Sequence, residues 1–407
     1  MRSIYWARSD LRIHDNLVLN KFCELSTMGL VVWCPTASYL RAEQSRKQFV
    51  DESLSVFSDQ LKNHGLSLSI KNKKMPDVIQ DLISNHKIDH VFWTKEFATE
   101  EVNEENAVAN ICKLNGIVFT ALDQSTLIHP SDLPFQINNM PFVFTDFRKS
   151  VEQKLLISNP QFVCKSWPKT IFDESNMSVN NDKKSIFPAG ELAGLERLDQ
   201  YFWKANSIQT YKITRNGMLN QNDSSKFSAW LNLGCLSPRL IYQQLKQYES
   251  TIIANESTYW LFFELLWRDY FKFFSRKFSQ KIFLEKGIAV GKKTNTNYDL
   301  LLFEKWCKGC TDEKFINANM NELNHTGWMS NRGRQNVASY LIHDLNLPWI
   351  WGAAYFEKKL IDYDPDLNWG NWLYLSGKGS DPRARKFNIE KQAAQYDPEG
   401  LYQKQWL

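Results

Sequence analysis

Residues 66–94 read LSLSIKNKKMPDVIQDLISNHKIDHVFWT, and the succession of patterns in this stretch decides the fold of the first third of the chain. Leu66–Ile70 and Asp89–Thr94 are short runs rich in apolar residues, of strand length. Between them Met75–His86 carries apolar residues three and four apart, the period of a helix with one buried face. Outward from this unit the pattern repeats. Ser3–Arg8, Leu30–Cys34 and Ile117–Ala121 read as further strands, and Glu52–His64 as a further periodic segment. The expectation for residues 1–130 is a doubly wound, Rossmann-like α/β domain, a parallel sheet with helices on both faces and right-handed crossovers. No G-x-G-x-x-G follows the first strand, so the usual dinucleotide fingerprint is absent. Ligands of such sheets bind at the carboxyl ends of the strands, where Arg8, Asp10 and Arg12 fall.

Beyond this domain the texture changes. Pro-containing stretches at His129–Pro134 and Asn139–Pro141, and the polar run Asp173–Lys184, mark residues 131–195 as a surface connector. From Glu196 onward no strand pattern survives. Ser257–Phe274, Met329–Leu345 and Trp351–Ile361 all carry helical spacing, so residues 196–407 read as a large all-α domain.

Composition bounds the function classes. Of 407 residues, 23% are charged and 43% hydrophobic, which is ordinary for a globular protein. No uninterrupted apolar run approaches the ~20 residues of a membrane helix. Met1–Arg12 has neither an h-region nor a small-residue cleavage site, so a cytoplasmic protein is expected, and a monomer is the default expectation. Seven cysteines, scattered and odd in number, make no disulfide framework, and the Cys307–Cys310 C-x-x-C lacks the second pair of a metal site. A net charge of +4 is too mild to imply nucleic-acid binding by itself. Aromatic residues make up 14%, with 15 Trp, most of them beyond residue 200. Such rings serve a core, stacking or electron transfer, and composition does not choose among these.

Four clusters could carry chemistry. Tyr211-Lys-Ile-Thr-Arg-Asn216 precedes Ser224-Ser-Lys-Phe-Ser228, whose hydroxyls at a helix start suit either a phosphate or plain N-capping. In Tyr259–Phe271, Glu264 sits inside an aromatic helix. It is placed either to pair with Arg268 at i+4 or to share a face with Trp267 towards a planar ligand. Thr326-Gly-Trp-Met-Ser-Asn-Arg-Gly-Arg-Gln335 gathers amide and guanidinium donors directly before an apolar helix. Asp362-Tyr-Asp-Pro-Asp-Leu-Asn-Trp-Gly-Asn-Trp-Leu-Tyr374 holds three carboxylates, two amides and four rings, in a spacing that misses the EF-hand pattern and lacks its closing Glu.

Taken in order, these clusters resemble the photolyase/cryptochrome family over essentially the whole chain. The opening WARSDLRIHDN resembles the first strand and turn of that family's α/β domain. Leu127-Ile-His-Pro-Ser-Asp-Leu-Pro134, Val143-Phe-Thr-Asp-Phe-Arg148, Asp381–Asn388 and Lys391–Pro398 narrow the resemblance to DASH-type cryptochromes.

The resemblance implies FAD in the helical domain. Tyr211, Ser224, Ser225 and Ser228 would hold its phosphate region, Arg334 would pair with Asp362, Asp364 would reach the ribityl or ribose hydroxyls, and Asn368 would face flavin N5. It implies a DNA partner too, single-stranded and carrying pyrimidine dimers. Glu264 would hydrogen-bond the base edges, Trp267 would stack, and Asn331 and Arg332 would complete the lesion face beside Tyr374. It further implies a methenyltetrahydrofolate antenna contacted by Glu101, and an electron-transfer chain through Trp372 and Trp349. The two functions it leaves open are a light-driven lyase splitting cyclobutane pyrimidine dimers and a blue-light photoreceptor with little repair.

Four departures qualify it. Tyr374 stands where duplex photolyases carry a second stacking Trp. Ser330, Asn331 and Gln335 stand where (6-4) photolyases place histidines, which excludes that chemistry. Asn317 replaces an acid within Thr311–Asn319. The outer tryptophan of the chain is missing from Lys293–Asn297, where Tyr298 is the nearest substitute, and Trp306 reads as packing.

Overall fold

A computed structural model describes residues 1–407 except 162, 173–184, 289–296 and 382–384. The polar run Asp173–Lys184, most of the Lys293–Asn297 window and part of the Asp381–Asn388 motif therefore lie outside the described residues. By contact the chain forms two compact units: residues 1–133, 156–199 and 227–247, and residues 134–155, 200–226 and 248–407. The stretch read as a connector is divided between them.

The first unit is built on a parallel sheet. Strands β1 (Arg2–Trp6), β2 (Met28–Trp33), β3 (Leu68–Ile70), β4 (His90–Thr94) and β5 (Val118–Leu122) run in the order β3-β2-β1-β4-β5. Each lies within two residues of its sequence-based position. A sixth strand, β6 (Lys169–Thr170), pairs with the start of β2, Met28 opposite Lys169. Two residues show no period, so the sequence pattern gave no sign of it. Ile4 sits in register with Leu30 and Val91, and these side chains join Trp6, Trp93, Ile79 and Val108 in a fully enclosed cluster. Burying a side chain of this size contributes about 1.5–3 kcal/mol.

The residues at the carboxyl end of β1 are taken up by hydrogen bonds within the first unit. Arg8, Asp10 and Arg12 are all buried. Asp10 Oδ1 accepts from the Arg8 amide at 2.8 Å, and its Oδ2 accepts from Thr94 and Gln124. Arg12 donates to the carbonyls of Gly234 and Asp15 at 2.8 and 3.0 Å. Their charges are spent inside the unit, as buried polar groups must be.

The second unit is helical. Its spine is the Glu256–Phe278 helix, opened by a capping box in which Asn255 accepts from the Ser257 and Thr258 amides while Thr258 Oγ1 accepts from the Asn255 amide. Against it lies the Pro365–Leu375 helix, with Asp364 as N-cap and Pro365 in the first turn. Their approach is close enough that a Cβ on Gly370 would stand 2.4 Å from the Phe271 ring. Residues 140–152 run along the same spine: Tyr270 Oη donates to the Phe142 carbonyl at 2.6 Å, and Lys277 Nζ to that of Met140 at 2.9 Å. The expected Met329–Leu345 helix begins at Asn331, capped by Ser330, and widens into a π-helical turn at Tyr340–Asp344. Asn317, in place of an acid, closes the preceding loop reciprocally. Its Oδ1 accepts from the Thr311 amide and hydroxyl, and its Nδ2 donates to the Thr311 carbonyl at 2.7 Å.

Candidate functional site

Helical spacing puts Trp260, Glu264 and Trp267 on one face of the spine. Glu264 Oε1 accepts from Arg215 Nη1 at 2.5 Å and from Trp260 Nε1 at 3.2 Å. Arg268, the sequence-based partner, instead has its guanidinium 3.9 Å from Asp269. Arg215 follows the short Tyr211–Thr214 helix and lies over the Trp260 ring. Burial raises the Glu264 pKa, and the Arg215 charge and the indole hydrogen bond act against the rise. The result is a half-buried carboxyl whose proton is held more tightly than usual.

The Trp267 ring is boxed. Phe144 stacks on it at 3.6 Å and 12°, and Tyr374 meets it edge-on at 5.5 Å. Tyr374 is itself covered: the Arg385 guanidinium lies 4.9 Å above its ring, donates to its hydroxyl, and pairs with Asp381. Arg332 Nη2 donates to Asn216 Oδ1 at 3.1 Å and sits over the Tyr396 ring. Burial lowers the Arg332 pKa, and the nearby Arg215 charge lowers it further. Two guanidinium charges near enough to perturb one another attract an anion. Adjacent residues Arg215 and Asn216 thus tie Glu264 to Arg332, while Asn331 lies exposed at the start of its helix. Arg215, Phe144 and Arg385 were not singled out from the sequence. All three lay inside quoted motifs, but the partners of Arg215 and Phe144 are far away along the chain.

A second set surrounds the Asn331–Ser339 and Pro365–Leu375 helices. Arg334 Nη2 lies 3.0 Å from both carboxylate oxygens of Asp362. Lys272 Nζ bridges Asp364 at 2.9 Å and Asp366 at 3.0 Å. Burial alone would raise Asp364, but Lys272, Arg268 and the Leu367 amide hold it below the usual carboxylate range, whereas burial pushes Asp366 up to about 6. Asn368 is buried and donates one amide hydrogen to the Ala353 carbonyl at 3.0 Å, out of four hydrogen-bonding positions. Tyr211 is buried, with its phenol raised by burial and by the Glu264 charge. Ser224 and Ser225 precede Lys226, which holds φ +56°, a left-handed backbone that a lysine adopts only under constraint. Hydroxyls and an ammonium suit a diphosphate, carboxylates suit a polyol, and an amide suits a ring nitrogen, so the donor set fits a flavin dinucleotide. Ser228 opens the Ser228–Asn232 helix of the first unit.

Trp372 and Trp349 are both buried. Trp372 meets Trp306 and Phe356 at 6.3 and 5.1 Å; Trp349 meets Trp369 at 5.9 Å and donates to the Glu285 carbonyl. In the first unit Glu101 lies in the first turn of the Thr99–Leu114 helix, where its carbonyl accepts from Arg8 Nη2 at 3.2 Å.

Known proteins place this geometry. A family model described as DNA photolyase matches residues 3–166, and one described as FAD binding domain of DNA photolyase matches residues 260–407. Cryptochrome DASH of Synechocystis is 40% identical, over 99% of this chain and 87% of its own. That of Danio rerio is 41% identical over 98% and 82%, and that of Arabidopsis thaliana, named as chloroplastic/mitochondrial, 40% over 100% and 75%. The crystal structure of the Synechocystis cryptochrome superposes with a TM-score of 0.94 at 38% identity, covering all of this chain and 89% of that one. A class III photolyase from Agrobacterium tumefaciens, at 24% identity and TM-score 0.88, shares the fold. FAD is accordingly the cofactor of the helical unit. Among the described residues no helix is long and apolar enough to cross a membrane. The chain belongs to the photolyase/cryptochrome family, in its Cryptochrome DASH branch.

Proposed function

We propose that the protein splits cyclobutane pyrimidine dimers in DNA under blue light, with single strands as its preferred substrate. The observation that carries this reading is the Glu264 carboxyl, held by Arg215 and Trp260 one turn from the Trp267–Tyr374 ring pair. Reduced FAD, when bound, supplies a light-driven electron. Ser224, Ser225 and Tyr211 would hold its phosphate side, Arg334 with Asp362 and Asp364 would hold its polyol side, and Asn368 would face the ring nitrogen. Glu264 presents its carboxyl to the base edges of the dimer, Trp267 and Tyr374 offer ring edges and faces, and Arg332, beside Asn331, approaches the phosphate. A flipped dimer costs less to extrude than intact bases, because its stacking is already damaged. Glu101 is proposed as a contact for a folate antenna.

The test uses chemically reduced protein, dimer-containing oligonucleotides as single strands and duplexes, and blue light. Restored thymines on single strands, and depressed repair on both substrates with Glu264→Ala, are expected. Flavin-loaded protein that repairs neither substrate would replace this reading with a photoreceptor.

A further inference from the structure

Within the first unit, Gln161 and residues 163–170 follow the Leu17–Leu25 helix and are tied to it at both ends. At one end the Asp15 amide donates to the Gln161 carbonyl at 3.1 Å, and the Gln161 amide to Asp15 Oδ1 at 2.9 Å. Asn20 Nδ2 adds a bond to Gln161 Oε1 at 3.3 Å. At the other end the Lys169 amide donates to the Thr27 carbonyl at 3.1 Å, where β6 joins β2. Helix and segment therefore run in the same direction, with Gln161 beside Asn20 and Lys169 beside Thr27. Cys23 lies three residues beyond Asn20, and Cys164 three residues beyond Gln161. Their side chains meet: the Cys23 thiol donates to the Cys164 sulfur. Trp167 fixes the approach, its Nε1 donating to the Cys164 carbonyl at 3.1 Å while its ring stacks on His64 at 4.1 Å and 6°.

Packing as a small apolar side chain would explain Cys23, which is buried. It does not explain a second sulfur seated on the first and only half-buried. The hydrogen bond between them raises the Cys23 thiol and lowers that of Cys164, so the sulfur nearer to solvent ionises more readily. Thiolate character and access together select a cysteine for oxidation. Burial instead raises the thiols of Cys34, Cys112, Cys235 and Cys307.

We propose that Cys23 and Cys164 are a redox pair that closes to a disulfide on oxidation by a hydroperoxide, stapling residues 163–170 to the Leu17–Leu25 helix. Cys164 gives up its proton, and its thiolate attacks one oxygen of hydrogen peroxide. The O–O bond breaks, and the departing hydroxide takes up that proton as water, leaving Cys164 as a sulfenic acid. The Cys23 sulfur then attacks the Cys164 sulfur. The S–O bond breaks, and hydroxide leaves as water with the Cys23 proton. The two thiols have lost two electrons and two protons, and the peroxide has become two waters. A dithiol reductant reverses the bond by exchange. In the reduced protein, hydrogen bonds and one ring stack hold the segment, and ties of this kind open locally. The disulfide makes the tie covalent and closes a long loop of chain. Neither flavin nor DNA enters the step, so the pair stands apart from the function proposed above.

The test uses flavin-loaded protein in which the exposed Cys310 is changed to serine, so that molecules do not couple through it. After treatment with stoichiometric hydrogen peroxide, thiols counted in denaturant should fall by two and the intact mass by two hydrogens. Dithiothreitol should restore both. Peptide mapping without reductant should join the Cys23 peptide to the Cys164 peptide. Cys23→Ala should leave Cys164 as a sulfenic acid that dimedone labels, and Cys164→Ala should leave Cys23 unoxidised. Trypsin should cut at the exposed Lys165 and Lys169 severalfold more slowly after oxidation. An unchanged thiol count, or a disulfide joining any other two cysteines, would overturn the pairing. Dimedone labelling of Cys164 with no linked peptide while Cys23 is present would overturn it as well. Equal tryptic cleavage before and after the bond forms would overturn the staple.

Discussion

Glu322 lies beneath the C-terminal helix with its Oε2 2.6 Å from the Tyr402 hydroxyl, and that hydroxyl is 3.1 Å from Asn319 Oδ1. The Asn319 amide is oriented by its donation to the Phe315 carbonyl at 2.7 Å. One phenol proton therefore faces two acceptors, and the arrangement closes only when Glu322 is protonated and donates to the Tyr402 oxygen. Burial pushes the Glu322 carboxyl up to about 7, against the opposing effects of Tyr402, Lys226 and Arg334. The folded-state pKa is above the unfolded value of 4.5, so the stabilisation is complete below that value and is lost as pH rises through 7. Glu322→Gln supplies the same donor without a charge. Its melting curve should converge on the parent near pH 5 and exceed it at pH 8 by about 1–3 kcal/mol. A constant offset across that range would refute the assignment.

At the scale of elements, the contact between the Trp349–Lys359 and Pro365–Leu375 helices sets the position of Trp372. A Cβ on Gly352 would stand 2.2 Å from the far edge of the Trp372 indole, a ring held rigidly between Phe356 and Trp306. Alanine favours a helix over glycine by ~1 kcal/mol, while overpacking costs ~1–3 kcal/mol. Gly352→Ala should therefore destabilise by no more than about 2 kcal/mol and displace Trp372. Flavin photoreduction should slow by more than the loss of stability explains, which near-ultraviolet dichroism and steady illumination together can check. Elements of this kind were legible where period and length agreed, as at Leu66–Ile70 and Met75–His86. The long second helix of the β2–β3 crossover begins at Gln44 rather than near Glu52, because its opening turns are polar and carry little periodic signal. The π-helical turn at Tyr340–Asp344 was invisible, since one extra residue in a turn barely changes a local apolar pattern. The site was legible in residue types but not in pairing. Glu264 was weighed against Arg268 because i, i+4 geometry is local, whereas Arg215 stands 49 residues away and only the tertiary fold supplies it.

For the whole molecule, a net charge of +4 spread over 407 residues cannot by itself hold DNA. Affinity has to come from the few cations the fold concentrates, above all Arg332 with Arg215 close by. Binding to dimer-containing single strands should weaken as salt rises, and Arg332→Ala should flatten the log–log slope by about 0.7, the counterion released by one phosphate contact. The proposed strand preference has a different origin. Extracting a dimer from a duplex costs a few kcal/mol, and base–aromatic stacking recovers ~1–3 kcal/mol per base. Trp267 has Phe144 stacked on it, and Tyr374 offers a small ring already covered by Arg385. Little stacking is left to offset extraction, so single strands, where that cost is lowest, should be repaired first. Tyr374→Trp enlarges the ring and removes the hydroxyl that Arg385 grips. It should narrow the gap between duplex and single-strand repair while leaving the salt slope unchanged, because no phosphate contact is altered. Arg385→Gln should narrow the same gap by uncovering the native ring. Repair rates on matched oligonucleotides at two salt concentrations separate these effects. If the unmodified protein repairs duplex and single strand at equal rates, the covered Tyr374 ring does not limit extraction.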